Sequence, residues 1–146
     1  MIKDLALTGI FVNDQEAAVD FYTDKLGLEL IQDEPYGEGA RWITVSPRDS
    51  GTSIVLKKAE QERAMVGRSD GAPVLTLGTD DVRSAYEGLR RRGVRFFGEP
   101  YRYLWGLAAI LLDQDGSPRS CSKRNIPANG RRKPMVRRRK TCTAGT

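Results

Sequence analysis

The sequence states one pattern twice, and that repeat restricts its folds more than any single motif. Asp14, Ala18 and Tyr22 recur 67 residues on as Asp81, Ala85 and Leu89, and Gly27 answers to Gly93 after one residue is lost. In each copy an aspartate stands where a helix N-cap belongs, apolar residues follow at helical spacing, and a glycine takes the position past the helix end. Strand-like runs surround each helix: 5–12, 28–31, 41–46 and 53–58 in the first copy, and 73–79, 94–97 and 107–112 in the second. The polar stretch 59–72 connects unit one (3–58) to unit two (73–118). Unit one reads as β-α-β-β-β and unit two as β-α-β-β with one further strand expected, so the fold class is α+β with mixed pairing. One amphipathic helix covers only one face of a small sheet. The other face must meet the sister unit, a partner chain or a ligand.

Histidine is absent from all 146 residues. That removes the commonest transition-metal ligand and the commonest general base near neutral pH. The net charge of +5 divides unevenly. Residues 117–146 hold ten Lys and Arg and no acid, which leaves the rest at −5. No apolar run approaches the roughly 20 residues of a membrane span, and the first residues show no signal-peptide pattern. A soluble cytoplasmic protein without membrane association is the expectation. Cys121 and Cys142 both fall in the basic region; two cysteines in such a chain are a weak disulfide signal.

The segments "IFVNDQEAAVDFYTDKLGLEL", "WITV", "DDVRSAYEGLRRRGVRF", "EP", "WG" and "LLDQDGSP" resemble the vicinal oxygen chelate superfamily, which groups glyoxalases, bleomycin-resistance proteins and extradiol dioxygenases. The resemblance covers about residues 3–118 and implies two βαβββ-type units forming a cupped mixed sheet around a pocket. Metal-dependent members carry ligands on the first and last strands of the units. Here the first-strand positions fall on Leu7 and Val74, and neither side chain can bind a metal. Around Leu56 the fourth strand offers only Val, Leu and Lys. A glyoxalase-type or dioxygenase-type centre needs several N or O donors converging at about 2 Å. No metal and no cofactor is therefore expected, and the resemblance points to the metal-free, binding branch, many of whose members are homodimers.

Strand alternation nominates the pocket lining. Leu7 and Phe11 share one face of the first strand, with Gly9 between them. The third strand offers either Arg41, Ile43 and Val45 or Trp42, Thr44 and Ser46, of which the Trp42 set is favoured; Lys57 comes from the fourth strand, and Val74 and Thr76 from unit two. Tyr101, Tyr103 and Trp105 form an aromatic run. Such a cleft suits a planar or anionic small organic molecule. Phe21, Tyr22 and Leu89 read as core, and Asp14, Asp80 and Asp81 as caps. No acid pair or nucleophile–base constellation marks a catalytic residue, although an enzyme with an unrecognised site is an alternative.

After Pro118 the expected eighth strand is replaced by "RSCSKRN" and a basic tail, 119–146, in which no apolar period is visible. The expectations are a domain over 1–118 whose last strand is missing or irregular, and a disordered tail. A frameshift could produce this, because codons permitted for Arg-Ser-Cys-Ser-Lys read Phe-Leu-Leu-Gln in another frame. A rival function from a different class is nucleic-acid association through "GRRKPMVRRRK", by phosphate neutralisation without aromatic stacking.

Overall fold

In the computed structural model, which describes residues 1–37, 39–59, 75–104 and 106–123, each repeat builds its own mixed sheet. Unit one runs β1 (Leu7–Val12), α1 (Gln15–Asp20) continuing as a π-helical stretch (Phe21–Lys25), β2 (Glu29–Pro35), β3 (Arg41–Ser46) and β4 (Ser53–Lys58). Its strand order is β1-β4-β3-β2, with β1 parallel to β4 and the other pairs antiparallel. Unit two runs β5 (Thr76–Thr79), α2 (Val82–Arg91), β6 (Arg95–Phe96), β7 (Tyr101–Tyr103), β8 (Gly106–Leu112) and β9 (Pro118–Lys123). Its order is β5-β9-β8-β6, with β7 also on β8 and β5 parallel to β9. The repeat read from the sequence is thus a repeat of topology: β9 stands where β4 does, beside a parallel first strand.

Local chemistry explains the helices. Asp14 Oδ1 accepts the Ala17 N–H and Asp81 Oδ1 the Ser84 N–H, each at 3.1 Å. These bonds satisfy amides that the helix leaves unpaired. Gly27 and Gly93 take φ of 76° and 85° and release the chain into the next strand. The extra residue in the first helix is absorbed by its π turn, where the Leu26 N–H donates to Phe21 O five residues back at 3.0 Å.

The helix side of both sheets is the inside of the molecule. Ile10, Val12, Ile43, Val45, Ile54 and Leu56 share one core with Phe21 and Tyr22, and Leu75, Val94 and Leu111 of unit two join it. Val82 of α2 packs on Ala109 and Cys121. Strand alternation then turns the intervening residues of each sheet outward.

The missing-strand expectation is corrected: Pro118–Lys123 form β9, hydrogen-bonded on both sides, to β5 and to β8. The ladder is made by backbone groups, so two waiting neighbours can hold a segment with little strand-like character. Arg119 and Cys121, assigned to a disordered tail, lie buried inside the sheet. Arg119 Nη2 lies 3.1 Å from Asp113 Oδ2, and its Nε donates to Tyr22 Oη at 2.9 Å. Tyr22 Oη in turn donates to Asp113 Oδ2 at 3.0 Å, while Asp113 Oδ1 accepts the Asp115 and Ser117 amides at 2.9 Å. A buried charge is tolerable when paired and hydrogen-bonded in this way. Cys121 is a free thiol; Cys142 and the rest of 124–146, including the basic cluster, fall outside the described residues.

Candidate functional site

The predicted lining residues fall into two sets, one on the outer face of each sheet. In unit one, register pairs Phe11 with Lys57, Gly9 with Val55, and Val55 with Thr44. The Lys57 side chain lies across Gly9, where an added Cβ would come within 3.0 Å of Lys57 Cε. Its Nζ stands 6.0 Å from the centre of the Phe11 ring. Leu7, Phe11, Lys57, Thr44 and Trp42 therefore occupy one face, as strand alternation anticipated. Trp42 Nε1 donates to Gln32 Oε1 at 3.2 Å, and the ring meets Tyr36 at 5.8 Å between centres. Leu7 is 47% exposed, whereas Val55 and Thr44 in the middle of the face are buried.

In unit two, Thr76 pairs with Ser120 and Ser120 with Ile110, while Tyr101 pairs with Ala108. Partners across a ladder point to the same side, so Thr76, Ser120, Ile110, Ala108 and Tyr101 share the outer face. Tyr101 and Tyr103, expected before a strand, themselves form β7 and meet edge-to-face at 5.1 Å. Val74 and Trp105 lie outside the described residues. Arg41, the alternative considered for β3, turns to the helix side. There its guanidinium binds Asp33 and Glu16 and holds the Asp33 carboxyl below the usual carboxylate range.

Two residues that sequence reasoning did not nominate complete these faces. Gln32 was obscured because a bulge between Leu30 and Gln32 breaks the alternation of β2. Ser120 was obscured because its segment did not read as a strand. Ser120 has a close counterpart in Thr44: each is 2% exposed, and each hydroxyl oxygen is buried with no hydrogen-bond partner. Most buried polar groups are satisfied, so an orphan hydroxyl beneath an outer sheet face is informative.

The relatives' metal chemistry can be tested against these donors. The outer faces of β1 and β4 present Leu7, Gly9, Phe11, Ser53, Val55 and Lys57. Those of β5 and β9 present Thr76, Gly78, Pro118, Ser120 and Ser122. None of these is a carboxylate, imidazole or thiolate, so the set does not fit a transition metal. Among the described residues no group of three His, Cys, Asp or Glu side chains could hold an ion.

A model of the Glyoxalase/Bleomycin resistance protein/Dioxygenase superfamily matches residues 4–118. The chain belongs to this superfamily. Among solved superfamily structures, it resembles TnmS3, an antibiotic binding protein from Streptomyces sp. CB03234, with a TM-score of 0.71 and 35% identity, covering 84% of this chain and 96% of that one. A superfamily member from Sphaerobacter thermophilus DSM 20745 gives a TM-score of 0.72 at 32% identity, over 84% and 98% of the two chains. The uncharacterized protein YurT of Bacillus subtilis (strain 168) is 40% identical over 119 residues, 77% of this chain and 93% of its own. Among the described residues no helix is long and apolar enough to cross a membrane.

Proposed function

We propose that this superfamily member binds a small, partly aromatic organic molecule on its outer sheet faces, without a metal, and that a second copy of the chain closes those faces. The observation that carries this reading is the pair of buried, unpartnered hydroxyls, Thr44 and Ser120, one beneath each face. Both oxygens are covered in the free chain, so a ligand with polar substituents would satisfy them as the side chains over them turn aside. Trp42, Tyr36 and Phe11 on one sheet and Tyr101 and Tyr103 on the other supply flat apolar surface, and Lys57 supplies a cation beside Phe11. The donor set argues against a superfamily-type metal centre. The likeness to an antibiotic binding protein favours a binding role. Leu7, Tyr36 and Tyr101 are 47%, 64% and 65% exposed in the single chain, more aromatic and aliphatic surface than a face left to water needs.

The test is a thermal-shift screen of planar aromatic anions and antibiotics, followed by calorimetry on hits and sedimentation of the free protein. Saturable binding at metal-free conditions, weakened about ten-fold or more by Trp42→Ala, supports the proposal, as does a dimer. Stoichiometric zinc, nickel or iron that ligand binding requires would overturn it, as would hits that Trp42→Ala and Lys57→Ala leave unchanged.

A further inference from the structure

A second cavity lies on the opposite, helix side of the sheets, at the seam between the two units. It has a volume of about 360 Å³ and is walled by Leu26 and Leu28 of unit one and by Leu77, Leu89 and Leu111 of unit two. Its mouth carries Arg48 and Arg92. We infer that this seam is a second ligand site, shaped for a small monoanion with an apolar body, such as an alkyl or aryl carboxylate.

Two independent features point to an occupant. The first is Gly88, on the α2 wall. It lies in a regular helix, where glycine costs about 1 kcal/mol relative to alanine. Its backbone does not require glycine, and a Cβ added there meets no atom within 4 Å. Packing against protein therefore does not account for the missing side chain; the omission leaves room in the cavity. The second is the charge at the mouth. Arg92 Nη1 donates to Lys25 O at 3.1 Å, and the same nitrogen would lie 3.6 Å from a Cβ built on Gly27, which also lines the cavity. This contact fixes the guanidinium at the entrance and uses one of its five N–H groups. Arg48, which also lines the cavity, pairs with Glu29, with Nε to Oε1 at 3.1 Å. Glu29 offsets one of the two cations, so the mouth favours a single negative charge. A carboxylate would meet Arg92 at the rim while its chain replaced water along the leucines. Volume and lining both fall within the range of small-molecule sites.

The site shares no side chain with the outer faces, since Gly78, the one residue that belongs to both, has none, so the two readings can fail separately. Decanoate and 1-naphthaleneacetate serve as probes, with decanamide as the uncharged control, and binding is read by calorimetry and by amide shifts of Gly88 and Leu89. Carboxylates are expected to bind saturably, with Arg92→Gln weakening them about ten-fold and decanamide binding correspondingly less well. Gly88→Leu fills the space and should abolish binding while raising helix stability. Gly88→Ala, which adds one methyl, controls for folding and should weaken binding only partly. Equal binding to wild type and Gly88→Leu overturns the proposal. So does the absence of amide shifts at α2 at millimolar probe, or equal affinity for the acid and the amide.

Discussion

The two units answer one design with different chemistry, and β4 and β9 show the difference most clearly. Both lie between the parallel first strand of their unit and the antiparallel strand that precedes them. In β4 the residues turned inward are Ile54 and Leu56, packed among other hydrocarbons. Their counterparts in β9 are Arg119 and Cys121. Unit one thus closes its core by hydrophobic burial, which tolerates any neighbour of suitable volume. Unit two closes its core with a charge that is stable only because Asp113 and Tyr22 stand where they do. Tyr22 belongs to unit one. The polar strand therefore ties unit two to its sister through directional polar bonds, whereas β4 meets the shared core through the hydrocarbon of Ile54 and Leu56.

The comparison breaks most sharply at Asp113. Asp113→Ala removes the partner of a buried guanidinium and two side-chain bonds that shape the turn before β9. The expected loss is about 3–5 kcal/mol, read from urea unfolding. A loss under about 1 kcal/mol would show that the pair contributes little in place. Matched truncations then sharpen the contrast. Leu56→Ala should cost about 2–5 kcal/mol, while Cys121→Ala at the equivalent position should cost about 1 kcal/mol, since little volume is removed. Similar losses at both positions would mean that the two strands are equally important to their cores.

Alkali should also act on unit two and its junction. Burial pushes the Cys121 thiol up, and it pushes the Tyr22 phenol well up despite Arg119 beside it. Both groups keep their protons in the folded chain where the unfolded chain releases them. Above about pH 9 the unfolded state therefore binds fewer protons, and stability declines as pH rises. Below that range neither group contributes a slope. Denaturation midpoints between pH 7 and 11 should fall, with Cys121→Ala removing the earlier part of the decline and Tyr22→Phe the later part. An unchanged profile in both variants would place the alkaline sensitivity elsewhere.

The contrast between the units also decides what could be read in advance. The caps, the positive-φ glycines and the alternation of β1, β3 and β4 are local properties, and each was legible in the sequence. Alternation grouped Leu7 with Phe11 and Trp42 with Thr44, and the register of β1, β3 and β4 brings both pairs and Lys57 to one face. The strand β9 was not legible, because its ladder is supplied by β5 and β8 and its side chains carry no apolar period. The contact between Tyr22 and Arg119 spans 97 residues, and nothing local announces it. The extra residue in the first helix was visible as a shift between the glycines. Its conformational outcome, a π turn that carries the buried Phe21 and Tyr22, depends on packing. The resemblance implied two βαβββ-type units with mixed pairing, and each unit forms its own mixed sheet, with a core shared on the helix side.

The smallest effect bears most directly on function. Thr44→Val keeps the shape of the side chain and removes a buried hydroxyl that has no partner, as Ser120→Ala does in unit two. Leaving such a group unsatisfied costs free energy, so each change should stabilise the free protein by about 0.5–1 kcal/mol. If the hydroxyls exist to meet a ligand, the same variants should bind it more weakly, by about five- to ten-fold for one hydrogen bond. Gain in stability with loss of affinity is the signature of a site residue, because a purely structural hydroxyl would change only the first quantity. Thermal unfolding and calorimetry on the same two variants measure both. The size of the two effects in Thr44→Val against Ser120→Ala then tells which unit carries more of the binding. Loss of stability in either variant would instead reveal a hydrogen bond within the protein, and would remove that residue from the site.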